Sequence, residues 1–322
     1  NTLATDIEIN ISGSTTLDNG ITAGFSANIE GNNVSEAAAG SASLDERFVF
    51  FRGSFGQIRI GQNESARQEM TNFAPSGNYN FGVNSPFFIF GNPGNAAGIF
   101  NVRTYSDGLG NEDNLKLIYF SPTFNGFRIG ASYSPDDGTN GQYGGNAGNA
   151  TGGFQNNASA AIEYGNNFGD FGLRLMAGWE GYVVENCGAT ANLQGCENNP
   201  ESVQFGGTIS FGEWSIGGGW LESEQVANSA NGAGRDRVDW DVGVAWWSGP
   251  FGVGLQYGSA ELDIAADNTT DEFKVYELNG TYVLGPGINV GAGIARGDYD
   301  DATTGGLDNQ YTEFKMSADL TF

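Results

Sequence analysis

Apolar and polar side chains alternate along most of this chain in blocks of about ten residues, the period of a β-strand lying between two unlike environments. Near the start, Ile7, Ile9 and Ile11 alternate with Asp6, Glu8 and Asn10. The pattern returns as Ile58 and Ile60 against Gln57 and Arg59, and as Leu115, Leu117 and Tyr119 against Lys116. It returns again as Phe127, Ile129, Ala131 and Tyr133 against Arg128, Gly130 and Ser132, and as Leu173, Leu175, Ala177 and Trp179 against Arg174 and Glu180. Trp214, Ile216 and Trp220 form a further row, as do Val238, Trp240, Val242, Val244 and Trp246, and Tyr276, Leu278, Tyr282 and Leu284. Successive side chains of a strand point to opposite faces, so these blocks predict a sheet with one apolar and one polar face. Many rows end on an aromatic residue with aliphatics between. Tyr and Trp favour the headgroup level of a bilayer, which predicts two aromatic girdles around a lipid-facing band. Cross-strand aromatic pairs in a soluble sheet are the alternative, but they leave the polar opposite face without a reason.

The connections alternate in length. Short turns fall at 17–20, 54–56, 123–126, 168–170, 211–213, 248–250 and 285–287, each rich in Gly, Pro, Asn or Asp, which accept turn geometry. Between them lie longer polar segments at 32–44, 64–113, 137–156, 186–200, 227–234, 264–270 and 301–308. This alternation puts all short turns at one end of the structure and all long loops at the other, as in bacterial membrane barrels. The chain is therefore expected to be all-β, a single domain over 1–322 forming a transmembrane antiparallel up-and-down β-barrel. About 15 strands are visible, and an antiparallel barrel closes with an even number, so 16 are expected: either two strands are merged or one missed in this count, or a further strand lies ahead of Asn1.

Composition agrees and narrows the function. Hydrophobic residues make up 39% of the chain, little for two soluble cores but enough for a barrel with a wet interior. The longest apolar runs are as short as Val242 to Trp247, far below the roughly 18 residues of a spanning helix. A net charge of -25 argues against nucleic acid and suits divalent cations, which would bridge the chain to lipopolysaccharide. There is no histidine, so Ser-His, Cys-His and His-zinc mechanisms are unavailable. No enzyme activity is expected and no cofactor is required. Cys187 and Cys196 share one polar Gly/Asn loop, which suggests a loop-closing disulfide from an oxidising compartment, with free thiols as the alternative. The acidic tip bearing Asp298, Asp300 and Asp301 is a candidate calcium site, with a solvated loop as the plainer reading.

Three runs together resemble the general diffusion porins of alphaproteobacteria. They are Ser12-Gly-Ser-Thr-Thr-Leu-Asp-Asn-Gly-Ile-Thr-Ala-Gly24, Phe50-Phe-Arg-Gly-Ser-Phe-Gly-Gln-Ile-Arg-Ile-Gly61, and Leu117-Ile-Tyr-Phe-Ser-Pro-Thr-Phe-Asn-Gly-Phe-Arg-Ile-Gly-Ala-Ser-Tyr133. The final Phe322 matches the aromatic end of outer-membrane barrels. The resemblance implies a 16-stranded homotrimeric pore in the outer membrane of a Gram-negative bacterium, with its third external loop folded inward. The segment 64–113 is the candidate for that loop, and its aromatic residues, among them Phe73, Tyr79 and Phe81, suit packing against a wall. The resemblance also makes 1–52 the candidate subunit contact.

By parity, Arg59, Lys116, Arg128 and Arg174 fall on polar rows next to the long loop, which itself carries Glu64, Glu69, Asp107, Glu112 and Asp113. This predicts a constriction with a basic wall and an acidic edge, whose transverse field orients dipolar solutes. The alternative is that each arginine neutralises a neighbouring carboxylate. Arg47 and Arg52 cannot be assigned, because Phe48 and Phe50 compete with Val49 and Phe51 for the outer face. Passive diffusion of small hydrophilic solutes and ions with mild cation preference is the expected function. The rivals are a substrate-specific channel, which needs a run of lumen aromatics, and a soluble or surface all-β binding protein.

Overall fold

A computed structural model describes residues 7–30, 43–85, 102–105, 114–136, 154–184, 199–227, 234–264, 269–300, 302 and 308–321. Fifteen strands account for most of them: β1 (Glu8–Thr16), β2 (Thr22–Glu30), β3 (Ser43–Gly53), β4 (Gly56–Gln62), β5 (Leu115–Phe120), β6 (Phe127–Asp136), β7 (Phe154–Phe168), β8 (Phe171–Val184), β9 (Glu201–Phe211), β10 (Trp214–Ala227), β11 (Gly234–Ser248), β12 (Phe251–Ile264), β13 (Thr269–Gly285), β14 (Ile288–Asp300) and β15 (Asn309–Leu320). A single helical turn, α1 (Ala66–Glu69), lies in the connection between β4 and β5. Each strand pairs antiparallel with the next, in one up-and-down sheet whose edges among the described residues are β1 and β15.

The short connections are hairpin turns that need a left-handed residue. At Gly56 (φ 104°) and Gly287 (φ 70°) any Cβ would also collide with the carbonyl oxygen of Phe120 or Thr321 on the adjoining chain. Only glycine meets both conditions. The tight turns hold the register that alternation requires, because a one-residue slip would exchange the two faces.

The two faces differ as the rows predict. Ile9, Ile60, Leu117, Ile129, Leu175, Ile216, Leu255 and Leu278 are exposed on one face. Outward aromatics mark the edges of that apolar band. Trp214 and Trp220 on β10, Trp240 and Trp246 on β11, Phe251 and Tyr257 on β12, and Tyr276 and Tyr282 on β13 each stand six residues apart, about 20 Å along a strand. Neighbouring rings touch to form two belts. Toward the long loops, Trp240–Tyr257 centroids are 5.0 Å apart and Tyr257–Tyr276 4.6 Å. Toward the short turns, Phe251–Tyr282 lie at 4.9 Å and Phe127–Tyr164 at 4.7 Å.

The opposite face is polar and largely buried, because the connection between β4 and β5 lies on it. Two apolar clusters seat that connection. Ala66 and Met70 pack on Ile118, Phe120 and Ala161 of β5 and β7. Val83 and Val102 pack on Ala260, Leu262, Phe273, Val275, Ala295 and Tyr299 of β12 to β14.

A charge on the two faces should act very differently. Leu255→Arg, in the middle of the apolar band, is expected to destabilise the folded protein in lipid vesicles by about 2–4 kcal/mol. Ser215→Arg on the polar face should cost much less, as read by denaturant unfolding followed by tryptophan fluorescence.

Candidate functional site

The connection after β4 crosses the polar face strand by strand. Ser65 caps α1, with its Oγ accepting the Gln68 N–H at 3.3 Å, and donates to Glu180 of β8 at 2.6 Å. The backbone N–H of Ala66 reaches Ser132 of β6 at 3.2 Å, and that of Arg67 reaches Ser159 of β7 at 3.4 Å. Arg67 is fully buried, its Nε 3.0 Å from Glu180 and its Nη1 2.9 Å from Gln204 of β9. Asn72 accepts from Thr208 at 2.7 Å. Asp241 of β11 then receives the N–H of Ala74 at 2.8 Å, the Asn84 amide at 3.2 Å and the Thr104 hydroxyl. Gln256 of β12 donates to the Ala74 carbonyl at 3.0 Å. Asn279 of β13 accepts from Gly77 N–H at 3.0 Å, and Asn78 donates to Thr281 at 2.9 Å. The path ends where Asn80 bonds Asp319 of β15.

The wall is shaped for this path. On the polar row of several strands a glycine stands two residues from the hydrogen-bonding side chain: Gly130 and Ser132, Gly178 and Glu180, Gln204 and Gly206, Asp241 and Gly243, Gly254 and Gln256. A Cβ at Gly178 would lie 2.7 Å from Arg67 Cγ, and one at Gly130 2.7 Å from Met70 Sδ. At Gly206 it would strike the Asn72 carbonyl, and at Gly254 the Gly77 nitrogen. The glycines let the loop backbone lie close to the wall, and the adjacent amides, hydroxyls and carboxylates take up its polar groups. Parity alone could have picked out this repeated pair of a glycine and a polar residue.

Three of the four basic residues expected on the wall form one connected row. Arg59 of β4 stacks over Phe48 at 4.9 Å and over Phe120 at 5.2 Å, and it bonds Asn63 at 2.6 Å and Glu69. Arg128 of β6 stacks over the same Phe120 at 4.7 Å. Glu163 of β7 lies between Arg128 at 3.4 Å and Arg174 of β8 at 3.3 Å. The lumen row of β3 explains the strand that is apolar on both sides: Phe48 and Phe50 share the polar face with Arg52 and are covered by guanidinium groups, while Arg47 falls on the row of Val49 and Phe51.

Lys116 differs from the expected open wall. It is only 1% exposed, with its Nζ 3.3 Å from the Asn114 carbonyl. Arg67, the loop cation buried against Glu180, was not foreseen, since parity says nothing about a loop. Of the expected acidic edge, Glu69 meets Arg59 and Glu64 is half-buried. Asp107, Glu112 and Asp113 lie outside the described residues, as do Cys187, Cys196 and Asp301. Asp298 and Asp300 are exposed on β14, with Asp298 accepting from Gln310 at 3.1 Å, and among the described residues no three metal-ligating side chains gather. On its open side the loop borders a cavity of about 510 Å³, closed from the wall by Arg174 and Thr208.

A sequence model of the family described as Gram-negative porin matches residues 1–302. Among curated proteins no sequence matches significantly. Solved structures share the fold. An anion-selective porin from Comamonas acidovorans aligns with TM-score 0.61 at 16% identity, over 99% of this chain and 89% of its own. OmpF from Salmonella typhi, in complex with daunomycin, aligns at 0.66 and 14%, over 98% and 90%. The trimer form of OmpT from Vibrio cholerae aligns at 0.60 and 14%, over 97% and 90%.

Removing one partner of the buried pair should expose its cost. Glu180→Ala removes the buried carboxylate that faces the Arg67 guanidinium and is expected to destabilise by about 3–5 kcal/mol, whereas the double change Arg67→Met with Glu180→Leu should recover most of that loss. Gly254→Val should displace the loop and speed proteolytic cleavage between β4 and β5, visible by mass spectrometry of limited digests.

Proposed function

The chain belongs to the Gram-negative porin family, and we propose that it passes small hydrophilic solutes and ions by passive diffusion, with a mild preference for cations and a width set by the loop 64–113. It is an outer-membrane β-barrel with its apolar, girdled face toward lipid and its polar face toward the lumen. The observation that carries the reading is the loop laid along that polar face, tied to it from β6 to β15. A pore narrowed by a fixed polar loop sorts solutes by size and charge and performs no reaction.

The fold does not set the sign of the selectivity, since the Comamonas porin that shares it is anion-selective. The sign is argued from charge. The net charge is -25, and much of the basic complement is spent locally: Arg67 on Glu180, Arg237 on Asp239, and Lys315 on Glu277. The row of Arg59, Arg128 and Arg174 forms the basic side of the proposed constriction. Glu64 and Glu69, with Asp107, Glu112 and Asp113 on the same loop, form the acidic side. Glu163, within the basic row, and Glu69, ion-paired with Arg59, soften the contrast.

A homotrimer is part of the proposal. The V. cholerae OmpT that shares the fold has a trimer form. Apart from Arg47 on β3, the outward rows of β1 to β4 are largely apolar yet carry no Tyr or Trp, so this arc lacks the aromatic headgroup-level residues of a lipid-facing surface. Subunit contact through β1 to β4 covers it. Divalent cations between the acidic outer surface and lipopolysaccharide complete the set of partners.

In planar bilayers, conductance should appear in steps of three. Reversal potentials in KCl gradients should favour cations at 0.1 M and fade at 1 M, where the screening length falls from about 10 Å to about 3 Å. Joint replacement of Arg59, Arg128 and Arg174 by Gln should raise the cation preference, and Glu69→Gln should lower it. An anion-favouring reversal potential in the unaltered protein would contradict the reading.

A further inference from the structure

The loop turns two aromatic faces toward water. Among the described residues, exposed large apolar side chains belong to the lipid-facing rows or to turns and strand ends, except Phe73 at 40% and Tyr79 at 62%. Both stand on the open side of the loop and line the cavity of about 510 Å³, a volume within the range of about 300–1,000 Å³ that ligand pockets occupy. Aromatic faces left bare in a polar pore need a reason. Phe81, eight residues further along the same loop than Phe73, is buried, so the segment can hide a ring where its path requires it.

The platform is held in place. Tyr79 packs on Trp247 of β11, ring centroids 5.1 Å apart and planes tilted by 42°. Trp247 in turn donates its Nε1–H to the Ser76 carbonyl at 3.0 Å. Around the two rings the lining is uncharged and hydrogen-bonding: Asn72, Asn80, Asn84, Ser85 and Thr208. In a chain with 38 carboxylate residues, the described lining includes none of them and a single cation, Arg174, whose guanidinium is engaged with Glu163. A site for an ion would show opposite charge. This one offers flat apolar faces for C–H groups beside amides and hydroxyls for O–H groups.

We propose that this cavity is a subsite for an uncharged, ring-shaped, polyhydroxylated solute, that is, a sugar unit of a small saccharide passing through the pore. The proposal deepens the reading of the chain as a diffusion pore and rests on it. Saccharides bind transiently on Phe73 and Tyr79 while ions pass beside them, so the pore is general for ions and selective among neutral solutes.

The test measures block of KCl current through the reconstituted protein by maltotriose, with polyethylene glycol of the same hydrodynamic size as reference. Maltotriose should reduce the current with a saturating concentration dependence and added current noise, and the glycol should not saturate. Phe73→Ala and Tyr79→Ala should each raise the half-saturating maltotriose concentration about tenfold, the loss of one stacked ring, while Tyr79→Phe should stay within about twofold. Equal, non-saturating block by both solutes overturns the subsite, as does saturable block that neither alanine variant alters. A protein that carries no KCl current overturns the pore reading instead. Maltotriose titration of tryptophan fluorescence in detergent, where Trp247 lies against Tyr79, then decides the subsite alone: a saturable change abolished in Tyr79→Ala supports it, and no change overturns it.

Discussion

In lipid no water is present to satisfy a backbone N–H or C=O, so each strand must be hydrogen-bonded to its neighbour along the whole apolar band. That constraint accounts for the plain up-and-down topology, in which every strand pairs with the next. It also explains where the ladder breaks. Register shifts occur at Ala27/Ile29, Gln155/Ala158, Ser223/Val226 and Val283/Gly285, all toward strand ends next to loops or turns. Among the described residues none falls between the girdles, where an unpaired group would face hydrocarbon.

The same constraint applies to the loop. Irregular backbone at membrane depth persists only where protein or water satisfies it. Here the wall supplies partners in chain order, from Ser132 and Ser159 through Gln204, Asp241 and Gln256 to Asn279 and Thr281. Glycines on the same rows remove the side chains that would hold the loop away. Loop and wall are therefore one polar network. The aromatic–guanidinium row from Phe48 to Arg174 shows a similar economy, since each Arg of that row lies against an aromatic face or a carboxylate.

Much of this was legible in the sequence. The outward rows from Ile7 to Leu284 and the short turns coincide with the structure, because a period of two and a Gly-rich turn are local properties; most of the long loops lie outside the described residues. Legibility stopped where partners are distant. Parity placed Lys116 on the polar face but could not tell an exposed position from a buried one. It left Phe48 and Phe50 unassigned, since the guanidinium groups covering them belong in part to another strand. The aromatics of the 64–113 loop suit packing against the wall; Phe81 is buried and Tyr79 packs on Trp247, while Phe73 and the free face of Tyr79 turn toward the opening.

The sequence by itself determined the strands and, outside β3, the face that most side chains take, because each depends on neighbours within a few residues. The tertiary structure alone decided which charges meet. Arg67 pairs with Glu180 across a separation of 113 residues, and Asp241 collects the loop at Ala74 across 167. Those choices depend on the path a loop takes over a wall and on the space that glycines leave for it, and neither can be read from alternation along a single strand.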